Sequence, residues 1–202
     1  MAFVAFNSFQ KLTTTKKQTI ISTPVIISPI TGLNANPFTN ASGTYNFSYS
    51  SNFSGGPPQA TFTTGAVSST GTTRFSWSAL GYGANPGTAT HTIANGSIDI
   101  SGEWIQVQLP FTTSVTQYAF SAWPNGNGIN KSAIIQCSLL GSTNGSTWTI
   151  IDQQSGITPD GLLHTFLCLN QPNYSYLRYI VQRVNGNDAV YFQNIQIRGF
   201  KA

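Results

Sequence analysis

Polar and apolar positions alternate with a period of two over much of this chain. The clearest runs are Trp104, Ile105, Val107 and Leu109; Leu177, Tyr179 and Val181; and Ile195 with Ile197. Strands present successive side chains to opposite faces, so each run predicts a strand with one buried face. No stretch carries an apolar stripe at helical spacing over three turns. Glycine and proline punctuate the chain about every ten residues, as short antiparallel strands require. The pattern predicts an all-β, antiparallel β-sandwich. Its inward positions are expected to include Trp104, Ile105, Val107, Leu109, Tyr118, Phe120, Ile134, Leu139, Trp148, Ile150, Phe166, Leu177, Tyr179, Ile195 and Ile197, with one of an adjacent pair such as Trp104 and Ile105 facing outward.

The segment Leu139 to Asp152 is a hairpin with its turn chemistry visible. The apolar run Ala133 to Leu140 enters a turn built from Gly141, Asn144 and Gly145, and a second strand leaves through Trp148, Ile150 and Ile151. Asn144-Gly145 supplies two residues that tolerate positive φ, the requirement of a tight hairpin turn. The wording LLGSTNGSTWTIID resembles the central hairpin of the discoidin, or coagulation-factor C-type, domain. Gly102 to Pro110 followed by Val115 to Phe120 resembles that family's preceding strand pair. Tyr174 to Val181 and Val190 to Gly199 resemble its closing strands. The likeness spans roughly residues 40 to 200. It implies a galactose-binding-like jelly roll, a fold that hosts lectins, lipid binders, enzyme appendages and virion proteins.

The family often ties its two ends with a disulfide, and neither Cys137 nor Cys168 sits at an end. Both lie in apolar strands, where a free thiol acts as a small core residue. Some relatives bind calcium through an acidic residue before the last strand; Gln193-Asn194 stands there instead.

Charged residues are only 7% of the 202, and 40% are hydrophobic, so a core forms and disorder is excluded. The net charge of +4 comes from scattered cations rather than a cluster, which argues against a nucleic-acid partner. No run is long enough to span a membrane. Two cysteines and two isolated histidines, His91 and His164, give no metal spacing, and no cofactor motif is present. The acids Asp99, Glu103, Asp152, Asp160 and Asp188 fall in no catalytic motif, so a non-enzyme is expected.

Binding chemistry concentrates in two loops. Tyr82 lies in and His91 just after the Gly-rich stretch Leu80 to Gly87, and Trp123, Asn125, Asn127 and Lys131 lie in or just after Trp123 to Gly128. An aromatic platform with planar amides and a cation suits a glycan.

Residues 1–38 form an N-terminal arm ahead of a 39–202 sandwich domain. Phe3, Phe6, Phe9, Ile20, Ile21, Val25, Ile26 and Ile27 make it apolar, and Pro24 and Pro29 close its short strand-like pieces. The arm docks either on its own domain or on a partner. The leader lacks the features of a secretory signal, and Asn-X-Ser sequons at Asn40, Asn46, Asn52, Asn95, Asn130, Asn144 and Asn173 arise readily in so Asn- and Ser-rich a chain. These features lead to a virion structural protein, minor capsid, decoration or tail-associated, contacting other virion proteins or itself. The alternative is an extracellular or cell-surface glycan-binding adhesin.

Overall fold

The computed structural model describes residues 24–27, 36–50, 61–62, 75–76, 92–95, 98–122, 133–169, 171–186 and 190–202. Among the described residues, twelve strands follow in chain order. They are β1 (Val25–Ile26), β2 (Phe38–Asn40), β3 (Gly43–Tyr49), β4 (Phe75–Ser76), β5 (Thr92–Asn95), β6 (Ile98–Ser101), β7 (Glu103–Ala122), β8 (Ile134–Ser142), β9 (Thr149–Ser155), β10 (Leu163–Leu167), β11 (Asn173–Val184) and β12 (Tyr191–Lys201). The fold is an antiparallel β-sandwich.

Two layers share one strand. The expected strand pair at Gly102 to Pro110 and Val115 to Phe120 is a single 20-residue strand, β7. Its first half pairs with β3 (Phe47↔Val107) and β11 (Leu177↔Val107). Its second half pairs with β12 (Ile197↔Tyr118) and β10 (Phe166↔Tyr118). The front layer is therefore β3, the start of β7, β11, β8 and β9; the back layer is β1, β12, the end of β7, and β10. β7 turns the corner around Pro110, which has no N–H to donate to either ladder.

The inward parity of each strand fills the space between the layers. Ile105, Val107 and Leu109 of β7 meet Leu177, Tyr179 and Val181 of β11, Leu139 of β8, and Ile195 and Ile197 of β12. Tyr118, Phe120, Phe166 and Tyr179 form an aromatic cluster, with Tyr118 and Phe166 centroids 5.1 Å apart and Tyr118 edge-on to Tyr179 at 5.5 Å. The Tyr118 hydroxyl donates to Asp152 Oδ2 on β9 at 2.7 Å, joining the back layer to the front.

Three expected core positions behave differently. Ile150 is 39% exposed while Ile151 is buried, because β9 carries a bulge where Leu139 pairs with Asp152 and Leu140 with Ile150. Trp104 faces outward, and Phe166 is half-buried against the core. The β8–β9 turn also differs from a two-residue hairpin. Gly145 alone takes positive φ (75°), whereas Asn144 acts through its side chain: its Oδ1 accepts from Ser146 N and Thr147 N, both at 2.9 Å.

Phe3, Phe6, Phe9, Ile20 and Ile21 lie outside the described residues. Of the arm's apolar residues, Val25, Ile26 and Ile27 are described, and they pack in cis. Val25 and Ile26 pair with Gly199 and Arg198 of β12, and Ile27 is buried in the core.

Cys137 and Cys168 are buried free thiols. Burial, reinforced by the nearby Asp152 charge, pushes the Cys168 thiol up to about 12 and raises Cys137 as well. Burial raises Tyr118 and Tyr179 too. These groups stay neutral in the folded chain at pH values where the unfolded chain ionises, near the ordinary thiol value of 9.0. The stability they confer is complete below that pH and is lost as pH rises toward about 12. Thermal unfolding followed by circular dichroism should show a midpoint that falls above about pH 9. A midpoint that does not move in alkali contradicts this.

Candidate functional site

One end of the sandwich gathers many strand termini. β3 ends there beside the start of β7 (Tyr49↔Ile105), β7 ends there beside the start of β12 (Phe192↔Ala122), and β8 begins there beside the end of β11 (Val184↔Ile134). Tyr82, His91, Trp123, Asn125, Asn127 and Lys131 all lie outside the described residues. Their anchors do not. The loop carrying the last four is strung between Ala122 and Ala133, both at this end. Tyr82 and His91 fall between β5 and β4, and β4 pairs with Tyr191 and Phe192 at the same end.

Hydrogen bonds outside the regular ladders fix these anchors. The Ser50 hydroxyl donates to the buried Glu103 side chain and accepts from Trp104 N at 2.9 Å, while Ser50 N donates to Trp104 O at 3.0 Å. Asn194 stands where β12 bulges, with φ of 50°, and its Nδ2 donates to Ser121 Oγ at 3.2 Å. Asn185 N donates to Ala133 O at 2.8 Å. Loops that must present side chains to a ligand benefit from such a rigid base.

The outer face of the front layer holds a second apolar cluster of Ile100, Leu140, Trp148 and Ile180, with Trp104 and Tyr176 against it. Within it the Arg178 guanidinium lies 4.2 Å from the Trp104 ring centroid and 4.1 Å from that of Trp148. Register supplies its other partner: Arg178 stands opposite Gln106, whose Oε1 accepts from Nε at 3.0 Å and Nη2 at 2.7 Å. Burial pushes Arg178 down to about 10, so it stays charged at neutral pH. Two indole faces and the amide oxygen offset the lost hydration. The stack is sealed, with Trp148 4% and Arg178 8% exposed, so it braces the sheet rather than offering a ligand platform. Sequence reading missed it, although Trp104 and Arg178 occupy the outward parity of neighbouring strands.

A groove of about 590 Å³ lies on the back layer near the arm, between Pro24, Leu167, Cys168, Leu169, Arg198 and Phe200. Among the described residues no three His, Cys, Asp or Glu side chains group as metal ligands, and no helix is long and apolar enough to cross a membrane.

No family model matches the sequence, and no curated protein matches it. Solved structures do match the fold. The family 32 carbohydrate-binding module of Clostridium perfringens NanJ, in complex with galactose, aligns with TM-score 0.53 at 12% identity, covering 76% of this chain and 93% of that one. A module of C. perfringens CpGH89, in complex with GalNAc-β-1,3-galactose, aligns with TM-score 0.54 at 10% identity, covering 76% and 94%. This chain has the fold of a family 32 carbohydrate-binding module. The discoidin-type sandwich expected from the hairpin and closing strands is thereby established. A third such module, from a family 31 glycoside hydrolase of the same organism, aligns with TM-score 0.53 at 13% identity, covering 76% and 88%. Nothing in these comparisons supports the virion structural role.

Replacing Arg178 with Lys keeps the charge but removes the planar stack and the paired bonds to Gln106. The loss should be about 1–2 kcal/mol of stability, measured by denaturant unfolding. An unchanged midpoint would show that the stack braces nothing.

Proposed function

We propose that this chain is a non-catalytic glycan-binding module that holds a neutral, galactose-type saccharide at the loop-bearing end of the sandwich. The observation that supports the proposal is that the described residues flanking both polar-aromatic segments, among them Ala122 and Ala133, stand at that end, beside strand ends held by Ser50, Glu103, Ser121 and Asn194. Two neighbours of the same fold were solved with galactose or a galactose-containing disaccharide, which supports the ligand class.

The chemistry follows from the residue types. A pyranose offers an apolar C–H face and a rim of hydroxyls. Trp123 and Tyr82 supply aromatic surface for the face. Asn125 and Asn127 carry donor and acceptor on one planar amide, which matches neighbouring hydroxyls on a sugar ring. His91 and Lys131 add polar donors. The module would act outside the cell or at its surface.

Galactose titrated calorimetrically into the full chain should bind. Trp123→Ala and Asn125→Ala should each weaken binding roughly tenfold or more, about 1.4 kcal/mol, with the melting temperature unchanged. Equal binding by both variants, or no heat with either galactose or N-acetylgalactosamine, would overturn the proposal.

A further inference from the structure

At the opposite end, where β7 turns between the layers, the ladder between β7 and β11 is interrupted. Tyr176 pairs with Gln108 and Tyr174 with Thr113, so Leu109 to Thr112 stand opposite Ser175 alone. The gap opens into a cleft of about 500 Å³ lined by Gln108, Phe111, Thr143, Ser175 and Tyr176 together with the corner backbone. That volume lies within the range of small-molecule sites.

Both walls are held by close approaches at glycine. Gly43 takes φ of +122° and packs so tightly that a Cβ there would lie 2.5 Å from Pro110 Cβ, which pins the corner. Gly145 packs on the Tyr176 ring, where a Cβ would meet Cε1 at 3.1 Å, which fixes the opposite wall under the β8–β9 turn. A cleft set before a ligand arrives loses little ordering entropy on binding.

The lining decides the ligand class. None of the residues lining the cleft is Asp, Glu, Lys or Arg, and a cation, Lys201, stands at its border over Phe111. Gln108 Oε1 accepts from Asn46 Nδ2 at 3.2 Å, which leaves the Gln108 Nε2 hydrogens uncommitted among the described residues. Thr143, Ser175 and Tyr176 add hydroxyls to the lining. Phe111, with the Lys201 ammonium 4.4 Å from its ring centroid, and Tyr176, packed beneath Gly145, supply the aromatic part of the lining. A cleft lined by uncharged groups, with one amide, the hydroxyl-bearing Thr112, Thr143, Ser175 and Tyr176, and aromatic rings, is matched by a neutral polyhydroxyl compound. We infer that this corner cleft is a second saccharide-binding site, separate from the loop end and facing away from it.

The test is a ¹⁵N-labelled full chain titrated separately with galactose, N-acetylgalactosamine, glucose and mannose. At least one sugar should move the amides of Phe111, Thr143 and Ser175 in a saturable way. Gln108→Ala and Ser175→Ala should each weaken that response roughly 3- to 10-fold, the worth of one hydrogen bond, with the remaining spectrum preserved. If no sugar moves these amides, or both variants respond as the parent does, the inference is wrong. The two sites separate cleanly in one spectrum. Trp123→Ala should erase shifts at Ala122, Ala133 and Asn185 while the corner shifts persist, so either site can fail without the other.

Discussion

Everything in this sandwich hangs on one strand that belongs to both layers. β7 lends its first half to the front ladder and its second half to the back ladder, and it turns between them around Pro110. Two sheets packed only through side chains can slide, because hydrophobic contact is not directional. A shared backbone removes that freedom and fixes the register of both layers together. The inward residues Ile105, Val107, Tyr118 and Phe120 are all buried, so the same strand also lines the core along its whole length. Tyr118 adds a directional tie, its hydroxyl reaching Asp152 on the far layer.

The two ends of the molecule differ because β7 treats them differently. At one end it starts and finishes, and many strand termini gather there with their connecting loops. At the other end it turns, and the turn costs ladder pairing from Leu109 to Thr112. The first arrangement gives a rim of hydrogen-bonded strand ends, the kind of base on which a stable scaffold carries a binding function. The second leaves a polar cleft in an otherwise regular sheet. Between them the front face is braced by Arg178 held between Trp104 and Trp148. Among the described residues, Arg178, Glu103 and Asp152 are thus committed to the scaffold.

Much of this was legible in the sequence, because period-two alternation reports directly on which side chains face inward. The hairpin from Ala133 to Asp152 and the closing strands at Tyr174 and Val190 fall where the pattern put them. The misreadings have local causes. A proline between two alternating runs reads as a boundary, yet around Pro110 the strand bends and continues. Ile150 and Ile151 look equivalent until the bulge in β9 assigns one outward. Asn144 was expected to contribute φ, and it contributes hydrogen bonds instead. Trp148 is buried as expected, but in the outer cluster, because one sheet face carries its own apolar patch. The corner cleft depends on register between β7 and β11, which no single-strand pattern encodes. The loop residues were nominated by composition alone, and only their anchors are fixed by the fold.

Native-state hydrogen exchange along β7 tests the central claim, that one shared strand makes the two layers a single rigid unit. Amides of Val107 in the front ladder and of Tyr118 in the back ladder should open with the same free energy, equal to that of global unfolding. Two distinct opening energies, one for each half of β7, would mean that the layers separate independently and that the corner does not couple them.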